Sequence, residues 1–316
     1  MLDFNTIIEN AFNEKFEILK EIKFGLTCQT YLVKVKNDKY IFQIYTDKRL
    51  YQAKKKYNIL NKIDSKFIPK AIKVEENEEY SYLITEYYEG KSLHYYRRTD
   101  SEFLLKNISN DLAFVLGQIH NISDIDKFGW INDNYVNTQN SLVDYIKNEF
   151  NRLSKNFEEL DEKVKQNIFK KVKKAIEIIE RKSGYISKPV LCWYDINPGN
   201  ILISQENRVY NLSALIDPGG ARYGVPEWDI AFMKMQVCRN KEEFDDFFDK
   251  YIKLNPQIHI DMELVNALSI IVEFDVMSIE LAEDVLILPI PYDTNFRDEI
   301  EFIHETTLSF PYLLSN

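Results

Sequence analysis

The sequence predicts an α+β fold in two lobes, a small antiparallel β-sheet with one helix laid against it and then a larger, mainly helical part. Three observations carry this. Residues 16–45 fall into short β-branched and aromatic runs broken by turn residues. Beyond residue 101 apolar residues recur at i, i+3 and i+4. The two regimes meet near Tyr88–Ser92 with no flexible linker between them. A chain of 316 residues suits two domains of roughly 150 residues or one two-lobed unit. Its 45% hydrophobic and 14% aromatic content supplies a core and excludes wholesale disorder.

A short leading helix precedes three strand-like runs, FEILKEIKF, TYLVKVKN and KYIFQIYT. Gly25–Gln29 is the first expected turn and Asn37-Asp38 the second. A helix is expected from about Asp47 to Ile63, ending before Pro69, then strands near Ala71–Glu75 and Tyr80–Glu86. In the second part Leu105, Ile108, Leu112, Val115, Leu116 and Ile119 mark a helix ending near His120. A long helical stretch, Ser141–Arg181, is studded with Lys and Glu as a solvated face would be. The short apolar runs VLCWYD, ILIS and ALIDP follow, and helices resume from Trp228 to the end.

Forty Lys and Arg against fifty Asp and Glu leave a formal charge of −10. Such an acidic chain is ill suited to phosphate backbones, so general nucleic-acid binding is excluded, while cationic ligands are favoured. Cys28, Cys192 and Cys238 are odd in number and widely spaced, which fits neither a disulfide scaffold nor a zinc site. The first residues lack the basic region of a signal peptide. Val285–Pro291 is far short of the roughly 20 residues needed to span a bilayer. The expectation is a cytoplasmic protein, monomeric or weakly dimeric, with no membrane partner.

The chemistry is concentrated in Leu191-Cys192-Trp193-Tyr194-Asp195-Ile196-Asn197-Pro198-Gly199-Asn200-Ile201. An apolar strand leads to an Asp, and an Asn follows five residues later. Ala214-Leu215-Ile216-Asp217-Pro218-Gly219-Gly220 repeats the plan of an apolar strand ending in an acid. Phosphoryl transfer needs this set: one carboxylate to orient the acceptor hydroxyl, and a carboxylate with a carboxamide oxygen to hold Mg²⁺ on the nucleotide phosphates. Taken alone, this spacing is a weak signal, and Asp195 with Asn197-Pro198-Gly199 reads first as an ordinary hairpin turn. Three further segments stand in order around it: Leu83–Leu93, the helix Leu112–His120, and Pro226-Glu227-Trp228-Asp229-Ile230-Ala231-Phe232.

With these segments the chain resembles the aminoglycoside phosphotransferase and choline kinase superfamily, which has a protein-kinase-like fold. The resemblance covers nearly the whole chain and is strongest from Val190 to Phe232. FGLTCQTYLVKV is similar to the first loop of choline-kinase-like members, and Asp217-Pro218 to fructosamine kinases. The resemblance implies a nucleotide-binding lobe at 1–88 and a catalytic and acceptor-binding lobe at 89–316. It makes Asp195 the catalytic base, Asn200 and Asp217 the Mg²⁺ ligands, and Asp229 a buried acid that braces the catalytic loop. Glu86 to Tyr88 become the hinge that meets the base of ATP or GTP. Gly25 and Thr27 lie in the loop over the phosphates.

The sequence departs from that pattern at three places. The third strand carries Gln43 where the family has a Lys for the phosphates. The following helix has no acid between Asp47 and Asp64 to pair such a Lys, and Lys56 stands near that place. Trp193 replaces the His that precedes the catalytic Asp by two residues. Losing both halves of an ion pair is coherent, because a buried Glu without its Lys would be costly. Two readings follow. Either Lys56 (or Lys55) reaches the phosphates from the helix with Gln43 hydrogen-bonded to it, or the chain is a non-catalytic pseudokinase. His120 is expected to be a packing residue. For the acceptor, the acids Glu242–Asp249 alternate with aromatics, and Glu273, Asp275 and Glu280 are better placed on a late helix. They suit a cationic hydroxylated acceptor such as an aminoglycoside, then amino alcohols like choline or glycated amines. Each acid can also be a solvated helical face.

Overall fold

The computed structural model describes residues 4–22, 28–100, 103–131, 138–186 and 188–283. Gly25, Thr27 and the Val285–Pro291 stretch lie outside them. The first sheet contains β1 (Phe16–Ile22), β2 (Gln29–Val35), β3 (Asp38–Thr46), β4 (Ala71–Glu76) and β5 (Tyr80–Glu86), all antiparallel, in the order β1-β2-β3-β5-β4. The β2–β3 turn is one residue earlier than expected: Val35 pairs with Asp38, leaving Lys36-Asn37 as a two-residue loop with Lys36 at φ 55°.

Period-two alternation puts Phe42 and Ile44 on one face and Gln43 and Tyr45 on the other. Helix α1 (Phe4–Phe12) covers the first face, packing Ile7, Ile8 and Ala11 on Val33, Phe42, Ile44, Tyr82 and Ile84. Helix α2 (Tyr51–Leu60) lies against the second face, where Ala53, Ile59 and Leu60 join Tyr45 and Leu83. It is shorter than the expected 47–63, because Asp47–Arg49 form a separate 3₁₀ turn. The apolar cluster beneath α2 continues without a break into the helices of the second part. The two parts therefore share a core.

The chain leaves the first sheet at Glu86 and enters a second at β6 (Lys91–Ser92), which pairs with β10 (Ile201–Glu206). Gly90 makes this crossing at φ +157°, where a Cβ would lie 2.9 Å from the carbonyl oxygen of Ile203. Ser92 caps α3 (Leu93–Thr99) through Tyr95 N–H at 3.2 Å. Then come α4 (Ser109–His120), β7 (Phe128–Trp130), β8 (Thr138–Gln139), α5 (Leu142–Leu153) and α6 (Glu162–Lys182). The expected single helix at 141–181 is thus two, because the Asp161 carboxylate accepts from Lys163 and Val164 N–H and starts a new helix. The rest is β9 (Val190–Cys192), the β10–β11 hairpin (β11, Val209–Leu215), β12 (Arg222–Gly224), α7 (Pro226–Phe232), α8 (Lys241–Leu254) and α9 (Met262–Glu283). A four-stranded sheet runs β8-β7-β12-β9. Among the described residues no helix is long and apolar enough to cross a membrane, and Cys28, Cys192 and Cys238 are free thiols.

Helices α4 and α8 meet at a glycine. A Cβ on Gly117 would fall 1.8 Å from Asn255 Oδ1, and Asn255 is pinned by its bonds to the carbonyls of Ala113 (3.2 Å) and Tyr251 (2.9 Å). In an open helix Gly→Ala would stabilise by about 1 kcal/mol. Overpacking here costs about 1–3 kcal/mol and breaks buried hydrogen bonds as well. Gly117→Ala should therefore lower the Tm in thermal denaturation; an equal or higher Tm would contradict this packing.

Candidate active site

The geometry of the loop after β9 is set by one buried acid. Asp229, fully buried on α7, accepts from Trp193 N–H at 2.7 Å through Oδ2 and from Tyr194 N–H at 2.8 Å through Oδ1. His120 Nε2 adds a third bond at 3.0 Å, and His120 Nδ1 meets the Tyr251 hydroxyl at 2.7 Å. A buried carboxylate needs such donors. Tyr194 sits at φ 68°, a left-handed conformation that costs a bulky residue on the order of 1–3 kcal/mol and persists only when surroundings hold it. Its N–H is held by Asp229 and its hydroxyl donates to Asp275 Oδ2. The strain turns the next residue, Asp195, out of the strand direction. His120 is thus a hydrogen-bonded member of the brace rather than a packing residue only. A helix-terminal His gives no sequence signal of which partner it will meet. Trp193 is fully buried and contributes its backbone to the brace.

Asp195 faces Asn197, Asn200 and Asp217. Asn197 Nδ2 donates to its Oδ1 at 2.7 Å, and Asn200 Nδ2 to its Oδ2 at 3.2 Å and its backbone carbonyl at 3.0 Å. Asn197 also closes the turn through Gly199 N–H at 2.8 Å, so the segment is a hairpin-type turn and a chemical site at once. Asn200 is tied to the other end of the hairpin by Ile216 N–H on its carbonyl, 2.9 Å, beside Asp217. A Cβ on Gly220 would lie 2.9 Å from the Asp195 Cβ, so Gly220 lets the two loops close up. Burial, then the charge of Asp217, pushes the Asp195 carboxyl up to about 6, with the two Asn bonds acting against them.

Asp217 ends the strand run at φ 59° and accepts from Gly219 N–H at 3.1 Å. Burial alone would raise its pKa, but Lys56 outweighs burial and holds it below the usual carboxylate range. Lys56, 2% exposed on α2, puts Nζ 2.7 Å from Asp217 Oδ1 and lies over the Tyr45 ring at 5.3 Å. Its own pKa is raised, because the Asp217 charge more than offsets its burial. Gln43 differs from expectation. Its Nε2 donates to Cys28 Sγ at 3.5 Å and its Oε1 accepts from the Tyr45 hydroxyl at 3.1 Å, so it reaches Lys56 through Tyr45. Lys55, also buried, donates to the Gly219 carbonyl at 2.7 Å and lies over Trp130 at 4.7 Å. Burial, then Arg222 and Lys56, lowers its pKa to about 7.

Arg222 was not singled out by the sequence. It is 2% exposed, its guanidinium stacked on Tyr194 (3.0 Å) and Trp130 (3.9 Å), with Nη1 2.7 Å from the Tyr145 hydroxyl and 3.8 Å from Asp275 Oδ2. One Arg among forty basic residues carries no signal of its own. Asp275 is thereby drawn to the back of Tyr194, and burial raises its pKa to about 6. Glu273 is buried on the same helix; the side chain of Glu280 lies outside the described residues. The Glu242–Asp249 acids form a structural and solvated face. Glu243 binds Arg97 and Arg239, Asp245 binds Lys241, and Asp246 binds Ser109 and Lys250. At the expected hinge, Glu86 ends β5, its backbone and carboxylate both bonded to Lys70, while the half-buried Tyr88 follows outside any strand.

His120, Cys192 and Asp229 bring three ligand atoms within 4.8 Å. Asp229 is already committed to backbone amides and Cys192 Sγ donates to the Val225 carbonyl at 3.2 Å. The oxygen donors of Asp217 and Asn200, beside Asp195, are the set whose chemistry suits a hard divalent cation.

A native carboxyl raised to about 6, against an ordinary value of 3.8, disfavours folding once ionised. That penalty is absent below the unfolded pKa and complete above about 6. Asp195→Asn should therefore melt higher than wild type at pH 8, with the difference shrinking as pH falls from 6 towards 4. A difference independent of pH would contradict the strained carboxylate.

The chain matches the sequence model of the phosphotransferase enzyme family (APH) over residues 18–256. No curated protein sequence matches it. Among solved structures it is similar to aminoglycoside phosphotransferase APH(4)-Ia, with a TM-score of 0.64 and 15% identity over 94% of both chains. A thermostable mutant of that enzyme in ternary complex with AMP-PNP and hygromycin B gives 0.63 and 15% over 94% of both. Aminoglycoside phosphotransferase APH(3'')-Id from Streptomyces rimosus ATCC10970 gives 0.50 and 11% over 87% of this chain and 98% of that one. These likenesses carry the two-lobed kinase-like fold, and the match over 18–256 carries the family. The chain belongs to the phosphotransferase enzyme family.

Proposed function

We propose that this enzyme moves the γ-phosphoryl group of ATP or GTP to a hydroxyl of a small cationic molecule, with aminoglycosides first and amino alcohols or glycated amines next. The observation that supports it best is the convergence of Asp195, Asn200 and Asp217 at one hairpin end with the Lys56 ammonium on Asp217. Asp195 receives the acceptor's proton, its oxygens oriented by Asn197 and Asn200. Asp217 and Asn200 hold Mg²⁺, which would supply charge neutralisation on the phosphates. Lys56, from α2, takes the part of the strand lysine that Gln43 replaces. Glu86 and Tyr88 present hinge backbone to the base, and Gly25 and Thr27 belong to the loop over the phosphates. Residues 1–88 thus carry the nucleotide and 89–316 the catalysis and acceptor. A need for nucleoside triphosphate agrees with the cytoplasmic placement expected from the sequence.

The cationic acceptor is supported by the net charge of −10 and by the hygromycin B of the ternary complex of a structural neighbour. Glu273, Asp275 and Glu280 are its proposed acidic partners. Asp275 would act through the wall formed by Tyr194, since Arg222 already meets its charge. The intact acids favour catalysis over a pseudokinase.

The test is nucleotide turnover with ATP and GTP over a panel of aminoglycosides, amino alcohols and glycated amines. Turnover is expected with at least one cationic acceptor, rising with pH through about 6 as Asp195 deprotonates. Asp195→Asn should lower kcat by about 10²–10⁴-fold, the range for a lost general base. Lys56→Ala should lower kcat/KM by well over about tenfold, as expected for a lost charge contact on the phosphates. Turnover that survives Asp195→Asn contradicts the assigned base, and a near-wild-type Lys56→Ala contradicts the clamp.

A further inference from the structure

The Lys56–Asp217 pair has a property that the phosphate-clamp role does not require. Nζ is 2.7 Å from Asp217 Oδ1, and this ion pair, rather than a set of well-aligned hydrogen bonds, is what meets its charge. An ammonium carries three donors. Here they are sealed from water, over the Tyr45 ring, at a side chain 2% exposed. The same Oδ1 also accepts from Gly219 N–H at 3.1 Å. One oxygen of the carboxylate expected to take the metal is therefore occupied by a fixed internal cation. No acid on α2 competes for that cation, since residues 48–63 contain none.

We propose that Lys56 is a built-in counter-cation that keeps free divalent metal off Asp217 and passes to the phosphates when the metal arrives together with nucleotide. This rests on the proposed function and specifies its order of binding. The electrostatics favour it. A divalent ion at Asp217 without phosphates would sit beside an ammonium that cannot be hydrated away, and like charges at such close range repel. Bound phosphates give Nζ the aligned acceptors it lacks, and its departure frees Oδ1. Lys55 does not share the role, because it is spent on the Gly219 carbonyl and the Trp130 ring rather than on Asp217.

The experiment is Mn²⁺ binding to the full-length protein, read from the loss of the free-ion EPR signal, first with Mn²⁺ alone and then with ADP present. Wild type should bind Mn²⁺ alone weakly and gain affinity with ADP. Lys56→Met should bind Mn²⁺ alone about tenfold or more tighter than wild type, the scale of removing one neighbouring charge from a partly screened site. Lys55→Met should change it by less than about threefold, the smaller effect of a charge that does not touch the carboxylate. Adding Asp217→Asn to Lys56→Met should abolish the gain. Lys56→Gln, which removes the charge and keeps a polar end, should reproduce the gain and guards against a Met variant that misfolds, with folding checked by thermal melts. Equal Mn²⁺ affinity in wild type and both Lys56 variants overturns the counter-cation while leaving the phosphotransferase site intact. No Mn²⁺ binding in any of them, with or without ADP, overturns the metal site and the proposed function together.

Discussion

The Lys56 ammonium, buried on α2, is kept charged by a carboxylate, and the geometry around Asp217 follows from that need. The Lys56–Asp217 pair spans the first sheet's helix and the end of the β10–β11 hairpin at 2.7 Å. Close approach requires small neighbours: a Cβ on Gly219 would stand 3.0 Å from Asp217 Oδ1 and 3.2 Å from Lys56 Cε. It also relieves β3 of a charge. Gln43 is free to bond Cys28 and the Tyr45 hydroxyl, which places the Tyr45 ring beneath Lys56. With the cation supplied by the helix, an acid on that helix would have nothing to hold.

Asp229 is the second fixed point, and it acts through backbone rather than charge exchange. Its grip on Trp193 and Tyr194 N–H holds Tyr194 in a left-handed conformation and so aims Asp195. His120 on α4 adds a third bond to Asp229, and Tyr251 on α8 meets the other ring nitrogen of His120. The His missing before Asp195 is thus matched by one that arrives from a different element. Between the two fixed points lies Asp195, raised by burial and by Asp217, and steadied by two carboxamides. Lys56 lies on Asp217 and holds that acid down, while burial and the Asp217 charge push Asp195 up.

Most of the fold was legible because local signals agreed with tertiary need. The five strands of the first sheet, α4 and the ILIS strand (β10) appear where apolar runs and turn residues place them, whereas β11 begins five residues before the ALIDP run. The 141–181 helix was overextended, because the amphipathic pattern continues past the Asp161 cap that restarts it. The chemical residues Asp195, Asn200 and Asp217 converge as their spacing suggests. The partners of Arg222, His120 and Lys55 were not legible, since they lie as far as 164 residues away in the sequence. The Arg222 guanidinium, for instance, is defined by rings from β7, α5 and the catalytic loop. The acids of α8 show the reverse error. A run that looks like a binding wall in sequence is neutralised by Arg97, Arg239, Lys241 and Lys250.

Whether a helix lysine has taken over the strand lysine's work is decided by a crystal structure with Mg²⁺ and AMP-PNP bound. Lys56 Nζ is expected within about 3 Å of a phosphate oxygen, ordinary hydrogen-bond range, with Gln43 still bonded to Tyr45. Lys56 remaining on Asp217, with the phosphates neutralised by another side chain, would contradict it.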